Sequence, residues 1–184
     1  STIVYRRLKS IDPDNAEADW NASLIELLRG DFQSGWQRRE ARWKVPQLSG
    51  TANYPGFAQP MWRGENIEGK TILVCADEGL GDTIQFVRYV PMLNARGARV
   101  ILLPQESLYP LLSELSGVAQ CLRNLHGGLP AFDVHCPIMS LPMAFGTTLD
   151  GIPAAESYLP RPAAARMQAW ENRLGAHDRP RIGL

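Results

Sequence analysis

The stretch Lys70-Thr71-Ile72-Leu73-Val74-Cys75-Ala76-Asp77-Glu78-Gly79-Leu80-Gly81-Asp82-Thr83-Ile84-Gln85-Phe86 decides the fold. Thr71 to Cys75 is an unbroken apolar and β-branched run, the pattern of a strand covered on both faces. Ala76 to Gly81 is a loop that opens a helix over about Asp82 to Ala95, closed by Gly97. Pro91 falls inside that helix and predicts a kink.

Downstream the same alternation continues. Arg99 to Leu103 reads as a second strand and Leu108 to Leu115 as a second helix, with Ser107 as its cap and Pro110 in its first turn. Gly117 to Leu122 reads as a third strand. Gly127-Gly128-Leu129-Pro130 is a turn, and Phe132 to Cys136 is a fourth strand. Strands alternating with helices predict an α/β domain with an open parallel sheet. If the order is 3-2-1-4, the first and fourth strands meet where the order reverses, and their carboxyl-end loops form the default ligand crevice. Pro160 to Leu174 is a further helix. Arg181 to Leu184 starts another apolar strand, which suggests a longer parent polypeptide.

Upstream, the periodicity is helical. Asp12-Pro13-Asp14-Asn15 breaks and caps. Trp20, Leu24, Leu27 and Leu28 recur at helical spacing from Ala16 to Arg29, Gly30-Asp31 stops and restarts the chain, and Phe32 to Trp43 forms a second helix. The result is a helical hairpin, preceded by the end of an earlier helix before Asp12. Residues 46–69 are Gly- and Pro-rich, a linker whose aromatics Tyr54, Phe57 and Trp62 staple the hairpin to the next domain rather than bind a ligand.

Composition narrows the function. The 184 residues are 45% hydrophobic and 21% charged, the balance of a globular chain. Lys and Arg total 19 and so do Asp and Glu, so nothing predicts general binding to nucleic acid. No apolar run is long enough to span a membrane. Cys75, Cys121 and Cys136 include no Cys-x-x-Cys and read as reduced thiols, which with the absence of a signal-like N-terminus predicts a cytoplasmic protein.

The loop after the first strand carries the chemistry. Gly79-Leu80-Gly81 lacks the Gly-Lys-Ser/Thr of a phosphate-binding P-loop, and Ile84 stands where a dinucleotide fingerprint needs its third glycine. Asp77, Glu78 and Asp82 also oppose a bound pyrophosphate. A carboxylate here suits a general base acting on a hydroxyl, and Asp82 is the candidate. Its alternative is helix capping, since Asp82-Thr83-Ile84-Gln85 has capping-box spacing. His135, at the end of the fourth strand, is either a proton-transfer or binding group or a buried, hydrogen-bonded histidine. His135 with Cys75 and Cys136 matches no zinc spacing, so no metal and no cofactor are expected. Arg88, Arg6-Arg7 and Arg38-Arg39 read as solvated charges, and His126 and His177 as loop residues.

Two resemblances extend this. Pro13-x-Asn15-Ala16-Glu17-Ala18, Asn21, Gly30-Asp31-Phe32 and the small Gly35 resemble a tetratricopeptide repeat, a unit of about 34 residues. One such unit cannot bury its own face, so it docks on neighbouring repeats or on the next domain. Gly79-Leu80-Gly81-Asp82-Thr83-Ile84-Gln85-Phe86 after a strand, with Pro91 beyond, resembles the opening motif of the ADP-heptose–lipopolysaccharide heptosyltransferases. Gly69 to Leu73, Val87-Arg88-Tyr89, Phe132 to Pro137, Ser140-Leu141-Pro142, Gly146-Thr147 and Ile152-Pro153 extend it to a bacterial group joining tetratricopeptide repeats to a heptosyltransferase-like region.

The resemblance implies a metal-independent, inverting GT-B glycosyltransferase: two Rossmann-like domains across a cleft, the first holding the acceptor. It divides the chain into repeat helices (1–45), a linker (46–69), the Rossmann-like N-terminal domain (70–160), and a connecting helix with the first strand of a truncated second domain (161–184). It makes Asp82 the catalytic base and places Gly79, Gly81, Thr83, Gln85, His135 and Ser140 on the acceptor side. The nucleotide-sugar donor would bind through a missing C-terminal domain, so the fragment would be inactive alone. The acceptor is a sugar or a protein, and the repeat offers a surface for a protein partner. The competing expectation is a non-catalytic interaction module whose Rossmann-like part is a scaffold. A third is a nucleotide-binding oxidoreductase domain.

Overall fold

A computed structural model describes residues 2–45, 48, 54–154 and 157–176. Helix α1 spans Thr2–Ile11. Helix α2 (Ala16–Leu28) starts where the Asn15 side chain accepts a hydrogen bond from the Ala18 amide. Helix α3 (Phe32–Arg39) starts the same way, with Asp31 accepting from Ser34. These caps satisfy amides that the first turn leaves orphaned. Helices α2 and α3 pack as the expected hairpin, and one turn of 3-10 helix, Glu40–Lys44, extends the second arm.

Strands β1 (Thr71–Cys75), β2 (Arg99–Leu103), β3 (Val118–Cys121) and β4 (Val134–Pro137) form a parallel sheet in the order β3-β2-β1-β4. The observed class is therefore α/β with an open, Rossmann-like sheet, as the alternation predicts. β1 and β2 lie where expected. β4 begins two residues later than expected, because Phe132 packs as a loop residue beneath the sheet and Asp133 caps the edge by accepting from the Thr71 amide.

Helix α4 (Leu80–Phe86), a 3-10 turn (Val87–Tyr89) and helix α5 (Val90–Ala95) connect β1 to β2. Pro91 sits in the first turn of α5, where its missing N–H costs nothing, so the predicted kink is a break between two helices. A 3-10 turn (Glu106–Leu108) and helix α6 (Tyr109–Leu112) lead towards β3. Gln105 precedes that turn, so Ser107 is not the cap. A further 3-10 turn (Ile138–Ser140) and helix α7 (Leu141–Ala144) follow β4. Helix α8 (Ala164–Leu174) buries no residue. The expected strand at Arg181–Leu184, and His177, lie outside the described residues.

Topology explains two unequal cores. Right-handed crossovers from β1 to β2 to β3 put both connections on one face. There Ile72, Val74, Val100, Leu102 and Cys136 pack against Phe86, Val87, Val90, Leu93 and Leu112. The return from β3 to β4 reverses direction and runs over the opposite face. Leu73, Cys75 and Ile101 meet Leu122 and Phe132 there, with Tyr54 and Phe57 of the linker packed beside them. Of the linker aromatics, Tyr54 does bridge the hairpin and the sheet: its ring meets Trp43 on one side and His135 on the other. Gly64, at φ +115°, passes so close that an added Cβ would lie 2.5 Å from the Ala144 carbonyl oxygen.

Candidate functional site

The carboxyl edge of the sheet, at the β1/β4 switch point, gathers acids and arginines from distant stretches. Asp77 and Glu78 leave β1, Ser140 follows β4, and Glu40, Arg39 and Arg42 come from the end of the hairpin. Asp77 Oδ1 accepts from the Met139 amide (3.1 Å), which ties the β1 loop to the β4 loop. Gln105 Nε2 donates to the Glu78 carbonyl (2.8 Å), which ties it to the β2 loop.

Arg42 fills the crevice between them. Its side chain is 1% exposed. Nη2 donates to Asp77 Oδ2 (3.0 Å) and Ser140 Oγ (2.7 Å), and Nη1 donates to Glu40 Oε1 (2.5 Å). Ser140 Oγ in turn donates to Glu40 Oε1 (2.8 Å). Arg39 Nη2 pairs with Glu78 Oε2 at 2.6 Å, and its guanidinium lies over the Trp20 ring. Arg39 is therefore buried and paired, not the solvated charge the sequence predicts, whereas the neighbouring Arg38 remains open to solvent and pairs with Glu26. Burial pushes the Asp77 and Glu78 carboxyls upward, against the pull of Arg42 and Arg39 respectively. Burial opposes the charge of Arg42, but Glu40 and Asp77 outweigh it and hold the guanidinium protonated.

Each candidate residue falls on this edge or next to it. Gly79 is the N-cap of α4, and Asp82 stands three positions on, its Oδ2 accepting from the Gly79 amide (3.0 Å). Asp82 thus does cap the helix, but from inside the first turn, because the helix starts before Asp82. Its other oxygen makes no hydrogen bond or ion pair among the described residues. Gly81 is exposed, with open space where a Cβ would stand. Gln85 is exposed. Thr83 is fully buried, and its Oγ1 has no hydrogen-bond partner among the described residues.

His135 pairs in register with Leu73 and so faces the smaller core. Its Nδ1 shares a 2.7 Å hydrogen bond with the Tyr54 hydroxyl, and its ring lies against Phe57. Burial lowers its pKa, against a hydrogen bond to the Gln59 backbone. Of the two readings of His135, the buried and hydrogen-bonded one describes its surroundings. Ser140 is fully buried, with Arg42 and Glu40 as partners. Arg88 is no free surface charge either: it donates to the Gln85 and Pro153 carbonyls and to the Tyr158 hydroxyl, over whose ring it lies.

Sequence reasoning missed Arg42. Its spacing on the hairpin places it on one side with Trp36, Arg39 and Trp43, but no local signal distinguishes a guanidinium that meets a carboxylate 35 residues away. A cluster of four carboxylates (Glu40, Asp77, Glu78, Asp82) therefore faces two guanidiniums, and Asp82 alone has neither as a partner. Chemically, this leaves one carboxylate, in the first turn of α4, with an oxygen that has no partner among the described residues.

No protein-family model matches the chain, and no solved structure does. Over 80 residues it is 31% identical to Protein FlbA of Caulobacter vibrioides, a stretch that covers 42% of this chain. The match spans 13% of the length of FlbA, so this chain is similar to a small part of a much longer protein.

Proposed function

We propose that this chain is the acceptor-side part of a glycosyltransferase that moves a sugar from a nucleotide sugar to an acceptor hydroxyl, with Asp82 as the general base. Asp82 carries the proposal. It is the carboxylate at the switch-point edge that no arginine among the described residues neutralises, and one of its oxygens has no partner among them and is open to take a proton. Its bond to the Gly79 amide fixes the carboxylate at the start of α4, and Gly81 beside it offers no side chain to obstruct a substrate. Thr83, buried in the same turn, supports the loop rather than touching an acceptor, and the same holds for Ser140 and His135.

The test is Asp82→Asn in the full-length protein, assayed with labelled nucleotide sugars. Asparagine keeps an oxygen for the Gly79 amide but cannot accept a proton. A base of this kind contributes about 10²–10⁴-fold, so transfer falls by at least about 100-fold with unchanged folding. Undiminished transfer removes Asp82 from the mechanism.

A second function is favoured by a specific observation. Arg42 and Tyr54 occupy the β4 side of the crevice, and Leu24 and Leu28 of the hairpin stay exposed, Leu28 at 87%. A non-catalytic module would use the hairpin for a protein partner and the sheet as its support. A pull-down that survives removal of residues 76–85 but not substitution of Leu24 and Leu28 by serine favours the module.

A further inference from the structure

The Asp82 carboxylate is held by a single peptide group, and a residue of another loop holds that group. Asp82 folds back along the first turn of α4, where its Oδ2 accepts from the Gly79 N–H at 3.0 Å. Gly79 leaves room for this: an added Cβ would lie 2.9 Å from the same oxygen. The N–H belongs to the peptide that joins Glu78 to Gly79. A trans peptide is planar, so its N–H points away from its C=O, and whatever fixes one end aims the other.

The carbonyl end is fixed from the loop after β2. Gln105 Nε2 donates to the Glu78 carbonyl at 2.8 Å. A carbonyl only accepts, so the amide must present its nitrogen there. Gln105 is anchored in turn, because its own carbonyl accepts from the Leu108 amide (2.9 Å) across the following 3-10 turn. Its Oε1 is buried and has no partner among the described residues. A buried acceptor left unmet works against a glutamine placed for packing, so what this side chain supplies is the bond from its nitrogen. Arg39 grips the Glu78 carboxylate at 2.6 Å, but rotatable side-chain bonds separate that carboxylate from the peptide plane.

We propose that Gln105 is a positioning residue for Asp82: through the Glu78–Gly79 peptide it sets the orientation of the carboxylate and which oxygen is left without a partner. The consequence for sugar transfer rests on Asp82 being the base, and the relay itself does not.

Gln105→Met keeps the side-chain length and removes the donor. In the ¹⁵N-labelled chain, hydrogen exchange of the Gly79 amide is expected to be at least about tenfold faster in that variant. The Ala76 and Met139 amides, bonded to the Leu103 carbonyl and to Asp77 around the same loop, keep their rates. In the full-length protein, with labelled nucleotide sugars, kcat falls at least about tenfold while KM stays within about twofold. Gln105→Met adds nothing further to Asp82→Asn, because both act on one group. If Gln105→Met fails to fold, Gln105→Glu, of equal length and unable to donate when ionised, takes its place with the same expectation. An unchanged Gly79 amide overturns the positioning role, as does equal loosening of all three amides. So does an undiminished kcat in a protein that Asp82→Asn inactivates. Undiminished transfer in Asp82→Asn refutes the base instead, and the Gly79 amide still decides whether Gln105 holds the relay.

Discussion

Arg42 shows how much a single buried charge controls here. Its guanidinium holds Asp77, Glu40 and Ser140 at once. Truncation to alanine leaves Asp77 buried and unpaired, and breaking a buried pair from one side costs about 3–5 kcal/mol. Arg42→Ala is therefore expected to lower the denaturant midpoint by that equivalent, while Arg38→Ala, at an exposed position on the same arm of the hairpin, changes stability by less than about 1 kcal/mol. Equal effects would mean that the Arg42 network contributes nothing particular. His135 gives a pH signature. Burial depresses its folded pKa below the ordinary 6.5. A depressed pKa stabilises the fold above the unfolded value, and that contribution is lost as pH falls through the folded one. The difference in Tm between the native chain and His135→Phe should thus shift against the native chain as pH drops from 7 to 5. A constant difference would show that His135 is not held neutral. The raised Asp77 and Glu78 carboxyls act in the opposite sense in both chains and cancel in the comparison.

At the scale of elements, the hairpin is set by a small residue and two caps. An added Cβ on Gly35 would lie 2.8 Å from the Leu27 side chain and 3.1 Å from its backbone nitrogen, so α2 and α3 approach as closely as they do because position 35 is bare. Gly35→Ala gains helix propensity but forces the helices apart, and overpacking of this kind costs about 1–3 kcal/mol. Thermal unfolding of that variant should show a net loss, and a gain would mean that the hairpin relaxes freely. Hairpin and caps were legible locally: Asn15, Asp31 and Gly35 act where their types predict. The short helices were less so. α4, the 3-10 turn and α5 read as one helix, because the break over Val87–Tyr89, just before Pro91, keeps Phe86, Val87, Val90 and Leu93 on the same core.

For the whole molecule, the hairpin and the sheet behave as one folding unit in their contacts. Trp36 packs on Phe86, Tyr54 joins Trp43 to His135, and Arg39 and Arg42 reach Glu78 and Asp77. A chain beginning at residue 46 loses both arginines, leaves the buried Asp77 with the Met139 amide but no countercharge, and takes from Ser140 its Arg42 and Glu40 partners. It is expected to lose cooperative unfolding, while the intact chain melts in one transition with sheet and hairpin probes coincident. Two separate transitions in the intact chain would refute the coupling.

Apolar patterning alone determined the parallel sheet and the position of the Asp82 loop, because a strand covered on both faces and a glycine-opened helix are local facts of residue type and spacing, whereas the strand order β3-β2-β1-β4 depends on which strands meet in space. Tertiary structure alone decided which polar residues are spent inside. In one dimension Arg39 reads as a solvated charge, Ser140 as an acceptor-side residue, and His135 leaves a binding role and a buried one both open. Whether each meets solvent or a buried partner depends on segments 35 to 100 residues away. The fold brings those segments together at the carboxyl edge, satisfies Ser140 and His135 within the protein, and leaves one Asp82 oxygen without a partner among the described residues.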